Sequence, residues 1–137
     1  MPFVLDASVT LAWAFEDEST PYTDAGQQAL RHDQARVPAI WWLEVCNALM
    51  LAERHKRIQI ADMMHFIELV QGLPIEVDRV SSHRVADRTI DLARNHSLTV
   101  YDASYLELAI HESLPLTTLD RRLRAAAEQT GVPLFSG

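Results

Sequence analysis

The sequence predicts an α/β fold in which helices cover both faces of a central parallel sheet. Short apolar segments alternate with longer segments of helical periodicity along all 137 residues. The run Phe3-Val4-Leu5 is continuously apolar, as is typical of a strand buried on both faces of a parallel sheet. A chain of this length can form one domain with a substantial core, so residues 1–137 are assigned to a single domain.

Five segments are predicted to be strands, because each is a short apolar run bounded by turn-forming residues or by a helix. They are residues 3–6, 36–39, 75–78, 116–120 and 132–135. Alternation of these strands with helices indicates parallel pairing. We therefore expect a three-layer α/β/α arrangement around a sheet of about five strands.

Seven helices are predicted from apolar spacings of three and four residues and from capping residues. They are residues 9–15, 21–32, 40–57, 60–71, 82–96, 101–111 and 121–130, and an acidic loop occupies 16–19. Pro21 lies just inside a cap formed by Ser19 or Thr20, and Gly131 is the expected C-cap of the last helix. The third and fourth helices form a hairpin that can pack against a partner.

Composition narrows the class of protein. No apolar run approaches the roughly 20 residues of a membrane span, and the N-terminus lacks the features of a signal peptide, so we expect no membrane association. Cys46 is the only cysteine, which excludes an internal disulfide and favours a cytoplasmic location. The net charge of −7 argues against non-specific binding of nucleic acid. It does not exclude a local basic patch on the surface.

Four acidic residues are predicted to meet at the carboxyl edge of the sheet, where open α/β sheets bind ligands. Asp6 and Asp120 end the first and fourth strands. Glu44 lies early in the helix after the second strand, and Asp102 opens the helix before the fourth. This convergence requires the first, second and fourth strands to be neighbours.

Each acid taken singly is explained at least as well as a helix cap or a first-turn residue. Taken together, several carboxylates in one pocket would repel each other and raise their pKa values, and a divalent cation relieves that repulsion. Oxygen ligands favour Mg²⁺ or Mn²⁺ over zinc, and the scattered histidines form no zinc pattern. Such a site suits phosphoryl chemistry.

Three polar residues lie where they can support the acids. Ser8 is two residues past Asp6, Thr118 is two before Asp120, and Asn47 shares a helix face with Glu44. They can orient the acids or hold metal-bound water. Alternatively, Ser8 and Thr118 satisfy only local backbone groups.

Four motifs in order carry a resemblance to a known family. They are Phe3-Val4-Leu5-Asp6-Ala7-Ser8, Glu44-Val45-Cys46-Asn47-Ala48-Leu49, Tyr101-Asp102-Ala103-Ser104-Tyr105-Leu106 and Thr118-Leu119-Asp120. With these motifs the chain resembles the PIN-domain ribonucleases, in particular the VapC-type toxins of bacterial type II toxin–antitoxin pairs. The resemblance spans nearly the whole chain.

The resemblance implies an endoribonuclease that depends on Mg²⁺ or Mn²⁺. It implies that Asp6, Glu44 and Asp102 hold the metal, with Asp120 acting directly or through water. It further implies a homodimer, an RNA substrate, and a VapB-type antitoxin that inhibits by occupying the cleft.

Three arginines flank the expected site and can contact phosphates, although they are equally well explained as cations on a solvated helix face. They are Arg121, Arg122 and Arg124.

Two alternatives remain. An aspartyl-phosphate receiver or phosphatase-like domain needs a lysine at the site, but Lys56, the only lysine, lies far from any strand end, and the phosphatase pattern requires aspartate in place of Ser8. The other alternative is a non-catalytic PIN-like module that only binds a partner. Loss of one of the four acids would favour that module, and all four are present.

Overall fold

The computed structural model describes all 137 residues and contains a four-stranded parallel sheet. Its strands are β1 (Phe3–Leu5), β2 (Ala35–Val37), β3 (Ile75–Val77) and β4 (Leu116–Thr117). They lie in the order β3-β2-β1-β4, and every neighbouring pair is parallel. Because β1 pairs with both β2 and β4, the predicted adjacency of the first, second and fourth strands is confirmed.

Seven helices flank the sheet. They are α1 (Ala7–Ala12), α2 (Pro21–Ala29), α3 (Trp41–Arg54), α4 (Ile60–Gln71), α5 (82–96), α6 (Val100–Glu112) and α7 (Arg121–Thr130). Helix α6 packs against β1, β2 and β4 and contacts α5 and α7, whereas α1 contacts α2 and α3. This arrangement confirms the predicted α/β/α fold. None of the helices combines the length and apolar character needed to cross a bilayer.

The core is centred on β1, whose three side chains are completely buried. The largest side chains buried with it include Trp41 at the start of α3 and Tyr105 in α6. Burial of the continuous apolar run Phe3–Leu5 confirms that β1 is a central strand covered on both faces. The rigid position of β1 fixes the residue that follows it, Asp6.

Helix ends follow the predicted capping chemistry in two places. Thr20 and Thr23 form a reciprocal capping box, with Pro21 in the first turn of α2. Gly131 ends α7 with φ of 78°, a left-handed conformation that glycine adopts without steric cost.

The predicted fifth strand is wrong as a full strand. Residues 132–135 form only an isolated parallel bridge, between Leu134 and Leu116. Leu116 N donates to Pro133 O over 2.9 Å, and Phe135 N donates to Leu116 O over 2.8 Å. Because Pro133 has no N–H, this segment lacks one donor that a longer ladder would use.

Several predicted boundaries differ from the observed ones by a few residues. The fourth strand ends at Thr117 instead of residue 120, and α2 ends at Ala29 instead of residue 32. The expected acidic loop contains a 3₁₀ turn, Glu16–Glu18. Helix α5 contains a π-helical stretch, Val85–Thr89, that apolar periodicity did not predict.

A partly buried ion-pair cluster ties the end of β3 to α5 and α6. Arg84 donates to both carboxylate oxygens of Glu107 over 2.8 Å, and its Nη2 lies 3.1 Å from Asp78 Oδ2. The Glu107 side chain is only 3% exposed. Its hydrogen bonds raise the pKa of Arg84, so the guanidinium remains charged and compensates the buried carboxylate.

Candidate active site

The four predicted acids lie at the carboxyl edge of the sheet. Asp6 directly follows β1, and Asp120 follows the neighbouring strand β4 by three residues. Glu44 lies in the first turn of α3, which follows β2, and Asp102 lies in the first turn of α6. Asp6 is within electrostatic reach of Asp102 and Asp120, and Glu44 is within reach of Asp6 and Asp102. Separate parts of the chain therefore bring their negative charges together.

Two hydroxyl groups hold Asp6, which is 7% exposed. Ser8 Oγ and Thr118 Oγ1 donate to Asp6 Oδ2 over 2.7 and 2.6 Å. The same hydroxyl oxygens accept from the backbone N–H groups of Leu119 and Asp120 over 3.1 and 3.0 Å. Ser8 and Thr118 therefore orient Asp6 as well as satisfying backbone groups, so the interpretation in which they satisfy only local backbone groups is wrong.

The Asp6 side chain does not cap its helix. It occupies the N-cap position of α1, but its side chain accepts no hydrogen bond from a backbone N–H of that helix. Asp120 does cap its helix, because Oδ1 accepts from Leu123 N over 3.0 Å. The cap explanation thus fails for Asp6 and is correct for one oxygen of Asp120.

The Asp102 carboxylate is not the cap of its helix, although the Thr99 hydroxyl next to it partly offsets the rise in the Asp102 pKa. The cap of α6 is Thr99, whose hydroxyl accepts from Asp102 N over 3.0 Å. The helix therefore does not need the Asp102 side chain as its cap, and the carboxylate can turn towards a ligand.

Glu44 is oriented by a residue whose function the sequence analysis did not identify. Tyr105 donates its phenol hydrogen to Glu44 Oε1 over 2.5 Å, and Tyr105 itself is completely buried. The sequence feature that could have indicated this role is spacing, since Tyr105 lies three residues after Asp102 and shares a face of α6 with it.

Asn47 makes no hydrogen bond to any of the acids. Its side chain lines a surface cavity of about 240 Å³ with Ile40, Leu43, Glu44 and Tyr101. The shared face with Glu44 is confirmed, but nothing in the structure indicates that Asn47 orients an acid.

Burial and mutual repulsion weaken ionisation of three of the acids. Desolvation is the main cause that raises the pKa of Asp6, Glu44 and Asp102. Coulombic repulsion adds to it, from Asp102 and Asp120 onto Asp6 and from Asp120 onto Asp102. None of the four predicted acids belongs to an ion pair in the protein. Among side chains, only hydroxyl groups, such as those of Ser8, Thr118 and Tyr105, therefore stabilise the ionised carboxylates at this edge of the sheet.

The donor set fits a hard divalent cation. Carboxylate oxygens are the ligands that Mg²⁺ and Mn²⁺ prefer, and the uncompensated charge of the cluster favours binding of a cation. No group of three or more acidic, histidine or cysteine side chains lies close enough to enclose an ion by itself. A cation bound here would therefore contact some of these carboxylates through water, and Mg²⁺ commonly retains several waters in protein sites.

The three flanking arginines differ in their surroundings. Arg124 is committed to the fold, because its Nη1 donates to Thr118 O over 2.9 Å and its guanidinium lies 5.3 Å from the Tyr22 ring centroid. Arg121 and Arg122 are exposed and form no ion pair or side-chain hydrogen bond. Only the latter two are free to contact a ligand.

A family model for the PIN domain matches residues 3–129. The chain belongs to the PIN domain family. That match covers all four acids of this PIN domain, together with β1, β4, α3 and α6, which position them. No curated protein matched the sequence.

Solved structures share the fold of this PIN domain. PAE2754 from Pyrobaculum aerophilum is 25% identical, with a TM-score of 0.72 over 92% of this chain and 84% of that one. VapC20 from Mycobacterium tuberculosis, described as a Sarcin-Ricin loop cleaving toxin, is 12% identical, with a TM-score of 0.64 over 90% and 94%. VapBC2 from Rickettsia felis, bound to a DNA fragment from their promoter, is 13% identical, with a TM-score of 0.67 over 98% of both chains.

Proposed function

We propose that this PIN domain is a metal-dependent endoribonuclease and the toxin component of a type II toxin–antitoxin pair. The observation that carries the proposal is the group of acids around Asp6, which lies at the ligand-binding edge of the sheet and has no basic partner. RNA phosphodiesters are the proposed substrate class, because the structural neighbour VapC20 is a toxin that cleaves the Sarcin-Ricin loop.

In this proposal Asp6, Glu44 and Asp102 hold Mg²⁺ or Mn²⁺. Asp120 contributes its remaining oxygen Oδ2 directly or through water, since Oδ1 is bonded to the helix. When bound, such a cation activates water and neutralises charge on the phosphate that is attacked. The protein supplies fixed oxygen atoms for it.

The hydroxyls of Ser8 and Thr118 position Asp6, and the phenol of Tyr105 positions Glu44. Outer hydrogen bonds of this kind set the orientation of metal ligands. A site supported in this way loses less conformational freedom when the cation and the substrate bind.

The proposed partners are a VapB-type antitoxin and a second copy of the chain, in the cytoplasm. Structural neighbours include a toxin–antitoxin complex from Klebsiella pneumoniae and FitAcB from Neisseria gonorrhoeae. Exposed apolar side chains on α3 and α4, among them Leu51, Ile60, Met64 and Leu69, provide surface for such partners.

The second candidate function is a non-catalytic binding module with the same fold. The open spacing of the acids, which encloses no ion by itself, is the observation that favours it. The aspartyl-phosphate alternative is disfavoured, because Lys56 lies beyond the C-terminal end of α3 whereas Glu44 lies in its first turn.

The test is cleavage of cellular RNA by the protein and by its Asp6→Asn variant, with sequencing of the new RNA ends. Asp87→Asn is the matched control, since Asp87 is an exposed aspartate of α5 outside the acid cluster. We expect discrete ends with the parent protein and with Asp87→Asn in Mg²⁺, and none with Asp6→Asn or in chelator. Ends that persist in folded Asp6→Asn would contradict the proposed site, and an absence of ends with the folded parent protein in Mg²⁺ would favour the binding module.

A further inference from the structure

A surface cavity adjoins the acid cluster on one side. It measures about 240 Å³ and is lined by Ile40, Leu43, Glu44, Asn47 and Tyr101. Glu44 faces both the cavity and the cluster, and Tyr101 immediately precedes Asp102. The cavity therefore opens beside the position that the phosphate of a bound substrate would occupy.

The lining combines apolar surface with one amide that has no partner. Tyr101 is 60% exposed and Leu43 is 67% exposed, so no part of the chain covers these large side chains. Asn47 forms no side-chain hydrogen bond within the protein and carries both donor and acceptor atoms. The cavity is smaller than the roughly 300–1,000 Å³ of pockets for drug-sized ligands, which suits a single flat ring system.

We propose that this cavity is a nucleobase subsite for single-stranded RNA. A base stacks on the Tyr101 ring, with Ile40 and Leu43 as the apolar floor, and its edge is hydrogen-bonded by Asn47. Proteins that bind single strands use exposed aromatic rings in this way, because every base has a π face. The inference rests on the proposed function and assigns part of its substrate contact.

The polar lining favours a base over an apolar side chain from a protein partner. An apolar side chain would cover Asn47 and Glu44 without pairing their polar atoms, which is unfavourable. A nucleobase offers donors and acceptors along its edge and a stacking face in the same group. Its attached phosphate would lie on the side of the acids, where the proposed cation is held.

The test measures binding of two fluorescent octamers to the Asp6→Asn protein in Mg²⁺ by anisotropy. One probe is octaadenylate RNA, and the other has the same number of phosphates on abasic ribose analogues. Tyr101→Ala and Tyr101→Phe are compared in this background, because phenylalanine keeps the stacking face. Thermal unfolding of each variant verifies that the fold is retained, as expected for an exposed side chain.

We expect Tyr101→Ala to weaken octaadenylate binding about tenfold and to leave binding of the abasic probe unchanged. Tyr101→Phe should remain within about twofold of the parent for both probes. An equal effect of Tyr101→Ala on both probes, no effect on either, or equal binding of both probes to the parent overturns the subsite. The occupant of the cavity would then be a side chain of a protein partner instead of a nucleobase.

Failure of the subsite is distinguishable from failure of the proposed function. If the parent protein cleaves RNA and Tyr101→Ala fails to discriminate between the probes, only the subsite is overturned. If the unsubstituted protein does not cleave RNA and the Asp6→Asn protein binds neither probe, both proposals are overturned.

Discussion

The phenol of Tyr105 in α6 donates to Glu44 Oε1 in α3 over 2.5 Å, although the two residues are 61 positions apart. This hydrogen bond joins the two helices that bring Glu44 and Asp102 to the edge of the sheet. Because Tyr105 is completely buried, its ring cannot follow Glu44 into another rotamer without disturbing the core. Glu44 is therefore held in a direction set by the packing of α6.

Removing the phenol hydroxyl should impair the proposed site more than the fold. Tyr105→Phe keeps the buried ring but releases Glu44, so we expect Mg²⁺ affinity and RNA cleavage to fall roughly tenfold to a hundredfold. Titration calorimetry with Mg²⁺ and initial cleavage rates measure these effects. Unaltered Mg²⁺ affinity in Tyr105→Phe would show that the hydrogen bond is structural only. Tyr105→Ala is the contrasting variant, and its cavity should cost about 3–5 kcal/mol of stability.

The metal-free protein should become less stable as the pH rises above the ordinary carboxyl range. The folded-state pKa of Asp6 lies above its ordinary value of 3.8, chiefly because of burial. Between these two pKa values the folded state binds more protons than the unfolded state, so stability is greatest at the acidic end and falls with increasing pH. Glu44 and Asp102 act in the same direction.

Asp6→Asn should remove part of this pH dependence. In chelator at neutral pH we expect the variant to melt at a higher temperature than the parent protein, with the difference shrinking on acidification. Scanning calorimetry at several pH values measures this difference.

Mg²⁺ should stabilise the folded protein. At a hundredfold excess over Kd, Mg²⁺ should raise the unfolding free energy of the parent protein by about 2.7 kcal/mol, and Asp6→Asn should lose most of that gain. Identical melting curves with and without Mg²⁺ would argue against a cation site.

The flanking arginines should separate into a structural and a ligand-binding class. Arg124→Ala removes the bond to Thr118 O and the contact with Tyr22, so we expect a loss of about 1–2 kcal/mol in unfolding free energy. Arg121→Ala and Arg122→Ala should change stability by less than about 0.5 kcal/mol. Each of these two substitutions should instead weaken RNA binding and reduce the slope of log binding constant against log salt concentration by about one. Salt slopes unchanged in both variants would exclude them from the RNA contact.

The Arg84–Glu107 pair should be essential to the fold while contributing nothing to cleavage chemistry. Arg84→Met leaves Glu107 buried and unpaired, which should cost about 3–5 kcal/mol, measured by urea denaturation. Replacing both residues, with Arg84→Met and Glu107→Leu, should recover much of that loss, because the uncompensated charge is gone. A double variant as unstable as the single one would mean that packing, not charge, dominates this cluster.

The positions of the four acids could be predicted from the sequence because each depends on local signals. Asp6 and Asp120 follow short apolar runs, and Glu44 and Asp102 lie in first turns, so assigning the elements located all four. The strand order needed to bring them together was an assumption that β1, paired with both β2 and β4, confirms. Whether they bind a cation remains a prediction.

What sequence analysis missed depends on contacts between distant segments. The pairing of Tyr105 with Glu44 requires α6 to pack beside α3, and the structural commitment of Arg124 requires Tyr22 to lie beneath it. The fifth strand was overestimated because an apolar run identifies a buried segment but not its hydrogen bonds. With Pro133 unable to donate, the segment bridges β4 at Leu134 alone.

The cap formed by Asp120 gives this protein an internal spectroscopic reporter. One carboxylate oxygen already accepts the amide hydrogen of Leu123, so any ligand that draws on the other oxygen must alter the electron density felt by that amide. The amide nitrogen and proton resonances of Leu123 should consequently shift in NMR spectra when a ligand binds the other Asp120 oxygen. Occupancy of the acid cluster can then be followed in solution from this one amide, without attaching a chemical probe.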